Sequence, residues 1–369
     1  MDNPQRFGAL PYQNIKAFIA DGAFKNAKEE NVNPASLDFS LSEEIYRVEG
    51  IFLPRPGEKV AELLEKAEHL RHAFENPLER DVTYLARLNE IVALPPDIYG
   101  YCNPKSSTGR NDVHVRVLAD GVSRYDTIPR GYRGTLWLAV NPRSYPVKVS
   151  PGERLTQGRF FNRDTRLSEQ ELKEVMSKES LVFDSHGEPI RYEDIQIKDG
   201  DGSVILRLDL DQDVVGFECL GSNKVMDFSK RKFYHPDDFF REVKKEEESV
   251  SLKKGGFYIL STKEAVRVPP SMALEVAPMD ERSGEFRSHY AGFFDPGWGY
   301  GKNGEGKGRP ATLEVRPFED MIIRNKQAIA KVKFEHLTEI PEVIYDSIGT
   351  SNYTAQSNAK LSKHFKEIQ

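Results

Sequence analysis

The chain has 369 residues and a formal net charge of −6 at pH 7. This length predicts about two domains, and a composition of 38% hydrophobic residues is sufficient for ordinary globular cores. The mildly acidic balance argues against sequence-independent binding to nucleic acid, although a local basic cluster can still hold a small anion.

The two cysteines, Cys102 and Cys219, are too far apart in the sequence to form a Cys-x-x-Cys metal motif, and they imply no disulfide framework. We therefore predict a reducing compartment, the cytoplasm. The N-terminus has no apolar signal core, and no apolar run approaches the ~18 residues needed to cross a membrane. These features predict a cytoplasmic protein with no membrane partner.

The first half of the chain begins with helical patterns and then changes to strands. Apolar spacing predicts a short helix over 11–21 and a longer one over 59–74, and alternation predicts a half-buried strand over 33–41. From residue 84 onward, Pro and Gly separate short apolar runs. We predict strands over residues 84–94, 111–118, 134–140, 145–149 and 154–161. This pattern is typical of an all-β barrel or sandwich.

The second half begins with a predicted helix over 167–177, because Ser168 and Glu171 have the spacing of a capping box. The polar stretch that follows predicts a domain boundary within 165–200. Strands then resume, with a short helix starting at His235. The predicted strands cover 204–210, 214–220, 225–228, 256–268, 272–278, 290–294, 311–316, 321–324 and 329–334. The tail beyond residue 344 is polar, so we expect it to be mobile unless it docks.

Two stretches of the chain are similar to each other at a nearly constant spacing. The segment Tyr84–Ile98 recurs as Tyr258–Met272, 174 residues later (258 − 84), and both contain a Pro-Pro strand end. The block Lys105–Arg110 is similar to Arg282–Arg287 at a spacing of 177 (282 − 105). Internal similarity of this kind predicts one β-domain that is present twice.

The stretch 282–314 has the residue types of a nucleotide site. The block Arg282–Arg287 has an arginine at each end, Asp295 follows in a Pro-Gly turn, and Glu314 lies in an alternating run. Arginine binds phosphate oxygens bidentately, Ser and Gly allow backbone amides to approach an anion, and a carboxylate can carry a proton. The combination indicates a nucleotide site with an acid/base group; the alternative is a surface turn with ordinary salt bridges.

These blocks together resemble the dCTP deaminase branch of the dUTPase-like superfamily, in its long, duplicated form. The resemblance rests on Asn33–Phe39, Val92–Gly100, the two Ser/Arg blocks, Asp295–Trp298, Thr312–Val315 and the tail segments 351–356 and 361–363. It implies a mainly β protein of two tandem dUTPase-like distorted β-barrels with a few short helices. We place the first barrel over residues 1–170 and the second, with a C-terminal closing segment, over 171–369.

Members of that family hydrolyse the exocyclic amine of dCTP to dUTP and ammonia. The resemblance therefore implies a hydrolase acting on the C–N bond of a cyclic amidine, in the synthesis of dUTP and dTTP. It implies no zinc, and neither the His-x-Glu nor the Pro-Cys-x-x-Cys signature of zinc deaminases is present. By resemblance, Glu314 is the general base and proton shuttle. Either Ser283 with Arg287 or Ser106 with Arg110 orients the attacking water.

The resemblance also assigns residues to the nucleotide. Asp295 binds the sugar 3′-hydroxyl, the backbone at Ala291 excludes a ribose 2′-hydroxyl, and Tyr353 and Gln356 close over the ligand. Mg²⁺ is expected to arrive with the triphosphate rather than on a site of its own in the protein. The remaining candidates for binding the nucleotide are Lys105, Ser107, Arg124, Arg282 and Thr312.

The two copies of the repeat are not equivalent at these positions. In the first copy, the acid/base position falls on Trp137 or Ala139, depending on where the gap is placed, and neither can carry a proton. In the second copy, Phe293 and Gly284 replace an arginine and a serine of the family pattern. Each copy therefore lacks something that the other retains.

We hypothesise that Lys105–Arg110 of a first copy works with Asp295 and Glu314 of a second copy; the alternative is a site made by the second copy alone. The family implies a homo-oligomer, a trimer or a pseudo-hexameric arrangement of barrels, with dTTP or dUTP as candidate feedback ligands. Two other functions fit the sequence. One is a dUTPase or a bifunctional deaminase–diphosphatase, and the other is a nucleotide-binding regulator without catalysis.

Overall fold

The computed structural model describes residues 6–288, 290, 292–348 and 358–367. The chain forms two compact units, each discontinuous in sequence. The first-copy unit consists of Tyr12–Arg163, Leu220–Phe239 and Ser362–Gln369, and the second-copy unit of Met1–Pro11, Asp164–Cys219 and Phe240–Leu361. Each unit is thus built mainly on one copy of the repeat and is completed by short segments from elsewhere in the chain.

Residues 12–163 of the first-copy unit form three short helices and twelve strands in the described part of the chain. The helices are α1 (Tyr12–Ala20), α2 (Val60–Lys66) and α3 (Ser106–Gly109). The strands are β1 (Phe24–Lys25), β2 (Val32–Asn33), β3 (Ser36–Phe39), β4 (Leu41–Val48), β5 (His69–Arg71), β6 (Thr83–Ala93), β7 (Tyr99–Pro104), β8 (Val113–Ala119), β9 (Thr127–Ile128), β10 (Arg133–Pro142), β11 (Val147–Lys148) and β12 (Thr156–Phe161).

The rest of the described chain contains one further α-helix, α4 (Glu169–Lys178), and thirteen strands. The strands are β13 (Val182–Phe183), β14 (Ser203–Arg207), β15 (Val214–Cys219), β16 (Met226–Asp227), β17 (Phe240–Lys244), β18 (Ser249–Leu252), β19 (Tyr258–Val266), β20 (Met272–Ala277), β21 (Phe286–Arg287), β22 (Phe293–Phe294), β23 (Arg309–Pro317), β24 (Met321–Arg324) and β25 (Ala328–His336). All of these belong to the second-copy unit except β16.

The two units have the same sheet topology. In the first-copy unit one sheet has the order β5-β4-β6-β10-β8, with β1 also on β6, and another has the order β2-β3-β12-β7-β9. In the second-copy unit the corresponding orders are β17-β15-β19-β23-β21, with β13 on β19, and β14-β25-β20-β22. Matching connectivity over so many strands confirms the duplication that the sequence repeat predicted.

Most predicted elements are present, but some boundaries differ from the predictions. The capping box of α4 is confirmed: Ser168 Oγ accepts from the backbone N–H of Glu171, whose carboxylate accepts from the backbone N–H of Ser168. The helix predicted over 59–74 ends at Lys66, because His69–Arg71 pairs with β4 instead. The predicted strand over 33–41 is divided among β2, β3 and β4, and β3 is buried on both faces rather than half-buried.

The segment Leu220–Phe239 contributes to the core of the first-copy unit. β16 pairs in parallel with β11, with Met226 opposite Val147. Phe239 is 0% exposed, and its ring lies 4.8 Å from that of Tyr145 and 5.7 Å from that of Phe365. Apolar side chains from three separate parts of the sequence therefore stabilise this unit together.

We predict that Phe239→Ala lowers the free energy of unfolding by about 3–5 kcal/mol, because it removes a fully buried ring and leaves a cavity. Urea denaturation followed by tryptophan fluorescence measures the change. Phe233, in the same segment, is 53% exposed, so Phe233→Ala is the matched control and should change stability by less than about 0.5 kcal/mol. Equal stability of the two variants would contradict the assignment of this segment to the core.

Candidate functional site

Glu314 lies in β23 and is 2% exposed. Its Oε2 accepts a hydrogen bond from the backbone N–H of Tyr290 at 3.0 Å. The Tyr290 hydroxyl in turn accepts from Nε of Arg316 at 3.0 Å, and the Arg287 guanidinium lies 5.0 Å from the centre of the Tyr290 ring. The Glu314 carboxylate is thus fixed in a buried position by Tyr290, and Tyr290 in turn contacts the guanidinium groups of Arg287 and Arg316. A buried, positioned carboxylate of this kind suits proton transfer.

Strand register shows which residue of the first copy stands where Glu314 stands. In the first copy Val140 lies opposite Tyr84. In the second copy Val315, the residue after Glu314, lies opposite Tyr258. Tyr84 and Tyr258 are equivalent in the repeat, so Ala139, which directly precedes Val140, is the counterpart of Glu314. The register therefore decides between the two residues that the sequence left open.

Ala139 belongs to an apolar cluster in the first-copy unit. The buried members of this cluster are Val48, Val60, Leu64, Leu85, Leu118, Trp137 and Ala139, with two of them supplied by α2. An ionised carboxylate in such surroundings would be buried without a compensating partner. The first copy therefore has a packed core where the second copy has its acid/base candidate.

The block Lys105–Arg110 forms α3 and the residues that bound it. Ser107 and Arg110 are buried, and Ser106 is half-buried. The Lys105 ammonium forms an ion pair with the buried carboxylate of Asp38. The hydroxyl and guanidinium groups predicted for the first copy are therefore held by one short helical turn.

A half-buried lysine from the C-terminal segment lies beside this block. Lys363 accepts a hydrogen bond on its carbonyl oxygen from the backbone N–H of Lys232 at 3.0 Å. Burial, and then the positive charges of Lys105, Arg231 and Arg154, lower the pKa of Lys363 to about 8. The charges of the other three residues act on Lys363, and we define Lys105, Arg154, Arg231 and Lys363 as the basic cluster.

Carboxylates offset only part of the charge of the basic cluster. Asp38 binds Lys105, and the charge of Glu153 acts on Lys363 in the direction opposite to the cations. Arg154 is held by a neutral group, since its Nη1 donates to Asn31 Oδ1 at 2.8 Å. The excess of positive charge makes the cluster suitable for a polyphosphate.

In the similar block of the second copy, Arg282 is already held by a carboxylate. Arg282 donates bidentately to Asp280, at 2.8 and 3.0 Å, and this holds the pKa of Asp280 at about 2. Ser283 lines a cavity of about 440 Å³ that also includes Asp199 and Lys331. Lys331 donates to Asp199 at 2.6 Å. Arg282 and the nearby Lys331 already have carboxylate partners, which fits the alternative of ordinary salt bridges.

Strand register also corrects the alignment of the two blocks. In the second copy Arg287 pairs with Arg316, and in the first copy His114 pairs with Asn141. Arg316 lies two residues after Glu314, and Asn141 lies two residues after Ala139. Arg316 and Asn141 are therefore equivalent. Arg287 is therefore the counterpart of His114 and not of Arg110. The match at a spacing of 177 was therefore wrong by four residues, since strand register gives a spacing of 173 (287 − 114).

Asp126 in the first copy and Asp295 in the second have different surroundings. In the first copy, Asp126 accepts from Arg116 Nη1 at 2.6 Å and from the backbone N–H of Val117 at 2.8 Å. In the second copy, Asp295 is half-buried, and its carbonyl oxygen accepts from the backbone N–H of Trp298 in the Pro-Gly turn. Asp126 is thus committed to an ion pair within its own unit.

The other predicted nucleotide residues are scattered. Arg124 is exposed in the first-copy unit. Thr312 is buried in β23, and its Oγ1 accepts from the backbone N–H of Lys360 at 3.3 Å. Ala291, Tyr353 and Gln356 lie outside the described residues.

Three residues of the basic cluster were not predicted as site residues. Arg231 lies in the basic run Lys230–Lys232, and Lys363 lies in the tail segment that resembles the family's closing segment. Either signal could have suggested an anion contact. Arg154 had no distinguishing signal, since it is an ordinary polar residue at the start of a predicted strand.

Among the described residues, no three His, Cys, Asp or Glu side chains come together as a potential metal-binding group. In the same part of the chain, no helix has both the length and the apolar character required to cross a membrane.

The repeated sheets and the position of Glu314 define a protein of two tandem dUTPase-like β-domains. The sequence models of the N-terminal and C-terminal domains of 2′-deoxycytidine 5′-triphosphate deaminase match residues 6–164 and 168–365. The chain therefore belongs to the 2′-deoxycytidine 5′-triphosphate deaminase family, which confirms the family, the fold class and the kind of enzyme predicted from the sequence.

Solved structures support the same assignment. The crystal structure of 2′-deoxycytidine 5′-triphosphate deaminase from Agrobacterium tumefaciens is 34% identical, with a TM-score of 0.81. The match covers 91% of this chain and 100% of that chain. A comparison with curated protein sequences finds no significant match.

Proposed function

We propose that this protein hydrolyses dCTP to dUTP and ammonia. The observation that carries the proposal is the buried carboxylate of Glu314, fixed by the Tyr290 backbone on a strand of the family's β-domain. The matches to deaminase domains over both copies support the same substrate and reaction. A nucleotide deaminase needs a group that moves protons at the base and cations that hold the phosphates, and the chain carries both.

In the proposed reaction, Glu314 removes a proton from the water that attacks C4 of cytosine. The carboxylic acid passes this proton to N3. It then takes the proton of the new C4 hydroxyl and delivers it to the amine, so that ammonia leaves as the C4–N bond breaks and C4=O forms, and the same side chain serves as base and acid. Ser106 and Arg110 orient the water. Arg110 is buried, and a guanidinium in a low-dielectric setting interacts strongly with charge that develops on the substrate.

The triphosphate is proposed to bind at the basic cluster, with Mg²⁺ arriving as part of the nucleotide. Ser107 and Thr312 supply further hydroxyl groups, and Asp295 receives the sugar 3′-hydroxyl. Arg282 is exposed and paired with Asp280, so binding a phosphate would only require a surface ion pair worth at most about 1 kcal/mol to open. We assign the main phosphate contacts to the first-copy unit because its basic cluster has an excess of positive charge.

We propose that the Ser/Arg block of the first copy and Glu314 of the second copy serve one reaction. The first copy has an alanine in place of the carboxylate, at a position inside an apolar cluster. The second copy has Arg287 at the position of a histidine, and its Arg282 is paired with Asp280. Neither copy therefore has a complete set, whereas the two together do.

The full-length protein is expected to release one ammonium ion for each dUTP formed when it is given dCTP and Mg²⁺. Coupled ammonium detection and chromatography of the nucleotides measure both products. Pyrophosphate and dUMP would identify the alternative, a dUTPase or a bifunctional enzyme. Binding of dCTP without ammonia release would identify a regulator and contradict the proposal.

We also propose that zinc takes no part, since the two cysteines cannot supply the ligand motif of zinc deaminases. Treatment with 1,10-phenanthroline, which removes zinc but leaves Mg²⁺, is expected to leave the rate unchanged. Loss of activity that returns with added zinc would contradict this point. The homo-oligomer, feedback by dTTP or dUTP, the cytoplasmic location and the role in deoxynucleotide synthesis stay predictions.

A further inference from the structure

Asn111, the residue after Arg110, is 1% exposed and makes four side-chain hydrogen bonds within the first-copy unit. Its Nδ2 donates to the Ser107 carbonyl oxygen at 2.7 Å and to His364 Nδ1 at 2.9 Å. Its Oδ1 accepts from the Tyr145 hydroxyl at 2.8 Å and from Ser362 Oγ at 3.0 Å. An asparagine side chain has two N–H donors and two lone pairs, so Asn111 uses its full capacity.

His364 completes this network in its neutral form. It is 0% exposed, and its ring is stacked on Phe228 at 4.7 Å between ring centres. Nδ1 can accept from the Asn111 amide only when it carries no proton. Burial, followed by the positive charge of Lys363, lowers the pKa of His364 to about 3, so the neutral form is present throughout the physiological pH range.

The network connects two parts of the chain that are distant in sequence. On one side Asn111 holds the Ser107 carbonyl of α3, and on the other it holds Ser362 and His364 of the C-terminal segment. Lys363 lies between these two anchored residues and belongs to the basic cluster. Its backbone is held there by the bonds to Asn111 together with those from the N–H groups of Lys232 and Phe233.

We propose that Asn111 is a positioning residue: with Ser362 and His364 it locks the C-terminal segment to the Ser106–Arg110 turn, so that the cations of both segments form one preorganised polyphosphate site. This inference rests on the proposed function for the identity of the ligand. Asn111 itself does not contact the substrate. It acts by removing the ordering cost that a loose segment would incur on binding.

The test measures the binding of inorganic tripolyphosphate by calorimetry, together with KM and kcat for dCTP. In Asn111→Leu, which has a similar volume and adds no charge, loss of the bonds to Ser362 and His364 should weaken tripolyphosphate binding about 10–100-fold. KM for dCTP should rise in parallel, while kcat stays within about threefold because the reacting groups are unchanged.

Ser362→Ala is a milder second variant, in case Asn111→Leu does not fold. It removes one contact to Asn111 and one to His364, and should weaken tripolyphosphate binding about three- to tenfold. Tyr145→Phe is the matched control, because it removes one bond to Asn111 and leaves the bonds that join Asn111 to Ser362 and His364 in place. It should lower the melting temperature and leave tripolyphosphate affinity unchanged, which separates positioning from general stability.

Wild-type tripolyphosphate affinity in folded Asn111→Leu or in Ser362→Ala would overturn the inference. So would a loss in Tyr145→Phe as large as that in Ser362→Ala. The proposed function fails on a different result, the absence of ammonia release by the wild-type protein. In that case the tripolyphosphate measurements still decide the role of Asn111.

Discussion

Glu314→Gln is expected to reduce kcat for dCTP deamination by about 10²–10⁴-fold, the usual contribution of general acid–base catalysis. A glutamine amide can still accept the hydrogen bond from the Tyr290 N–H, so the strand and its surroundings should be preserved. It cannot take a proton from water at neutral pH. Steady-state kinetics with ammonium detection should therefore show a large fall in kcat and a KM within a few-fold of wild type.

Glu90 provides the matched control for this substitution. It is also a buried glutamate, and it accepts hydrogen bonds from the backbone N–H and the hydroxyl of Ser40. Burial raises the pKa of Glu90. The folded protein therefore becomes less stable as pH rises through that raised pKa and the side chain ionises. Glu90→Gln removes this pH dependence. It should leave kcat unchanged. Retention of more than a tenth of the wild-type kcat in Glu314→Gln would exclude Glu314 as the proton carrier.

The repeated part of the fold was readable from the sequence because its signals are local. Alternation of apolar residues predicts strands, and Pro-Pro and Gly turns mark where they end. Two copies of the same pattern at a spacing of 174 then require two copies of the same sheets, as in the pairing of β6 with β10 and of β19 with β23. The family blocks placed Glu314 in a strand for the same reason.

The contribution of Leu220–Phe239 to the first-copy unit could not be predicted from local signals. β11 and β16 are each two residues long, and their pairing joins positions 79 residues apart (226 − 147). Nothing in a two-residue stretch specifies its partner, since register depends on packing that forms only in the complete unit. The sequence therefore assigned residues 220–239 to the second half, whereas Phe239 packs in the first-copy unit.

The site residues were found where a motif existed and missed where only three-dimensional proximity defines them. Ser106 and Arg110 share a short block, but Arg231 and Lys363 reach the basic cluster from 121 and 253 residues beyond Arg110 (231 − 110, 363 − 110). Asn111 gave no signal, because a buried polar residue has no periodicity of its own. The sequence alignment of the two blocks was also wrong by four residues (177 − 173), which only strand register could reveal.

Arg110→Ala is expected to reduce kcat/KM for dCTP by about 10²–10³-fold, the size of effect seen when one preorganised hydrogen-bond donor to developing charge is removed. The reason is that the second copy offers no substitute. Arg287 occupies the position of His114, and Arg282 is already bound to Asp280. Because Arg110 is buried, circular dichroism and the melting temperature must first show that the variant is folded. Ser106→Ala, at a half-buried position, tests the same block with less risk to the fold.

Arg287→Ala separates this proposal from a site made by the second copy alone. If the first copy supplies the water-orienting group, Arg287→Ala should cost much less than Arg110→Ala; the reverse order would show that the second copy works by itself. The double variant Arg110→Ala/Glu314→Gln sharpens the comparison. Residues that act on one reaction are not additive, so the double variant should be little slower than Glu314→Gln, whereas independent roles would multiply the two losses. Steady-state kinetics can therefore show whether the two residues serve one reaction. If they do, the double variant loses much less rate than the product of the two single losses.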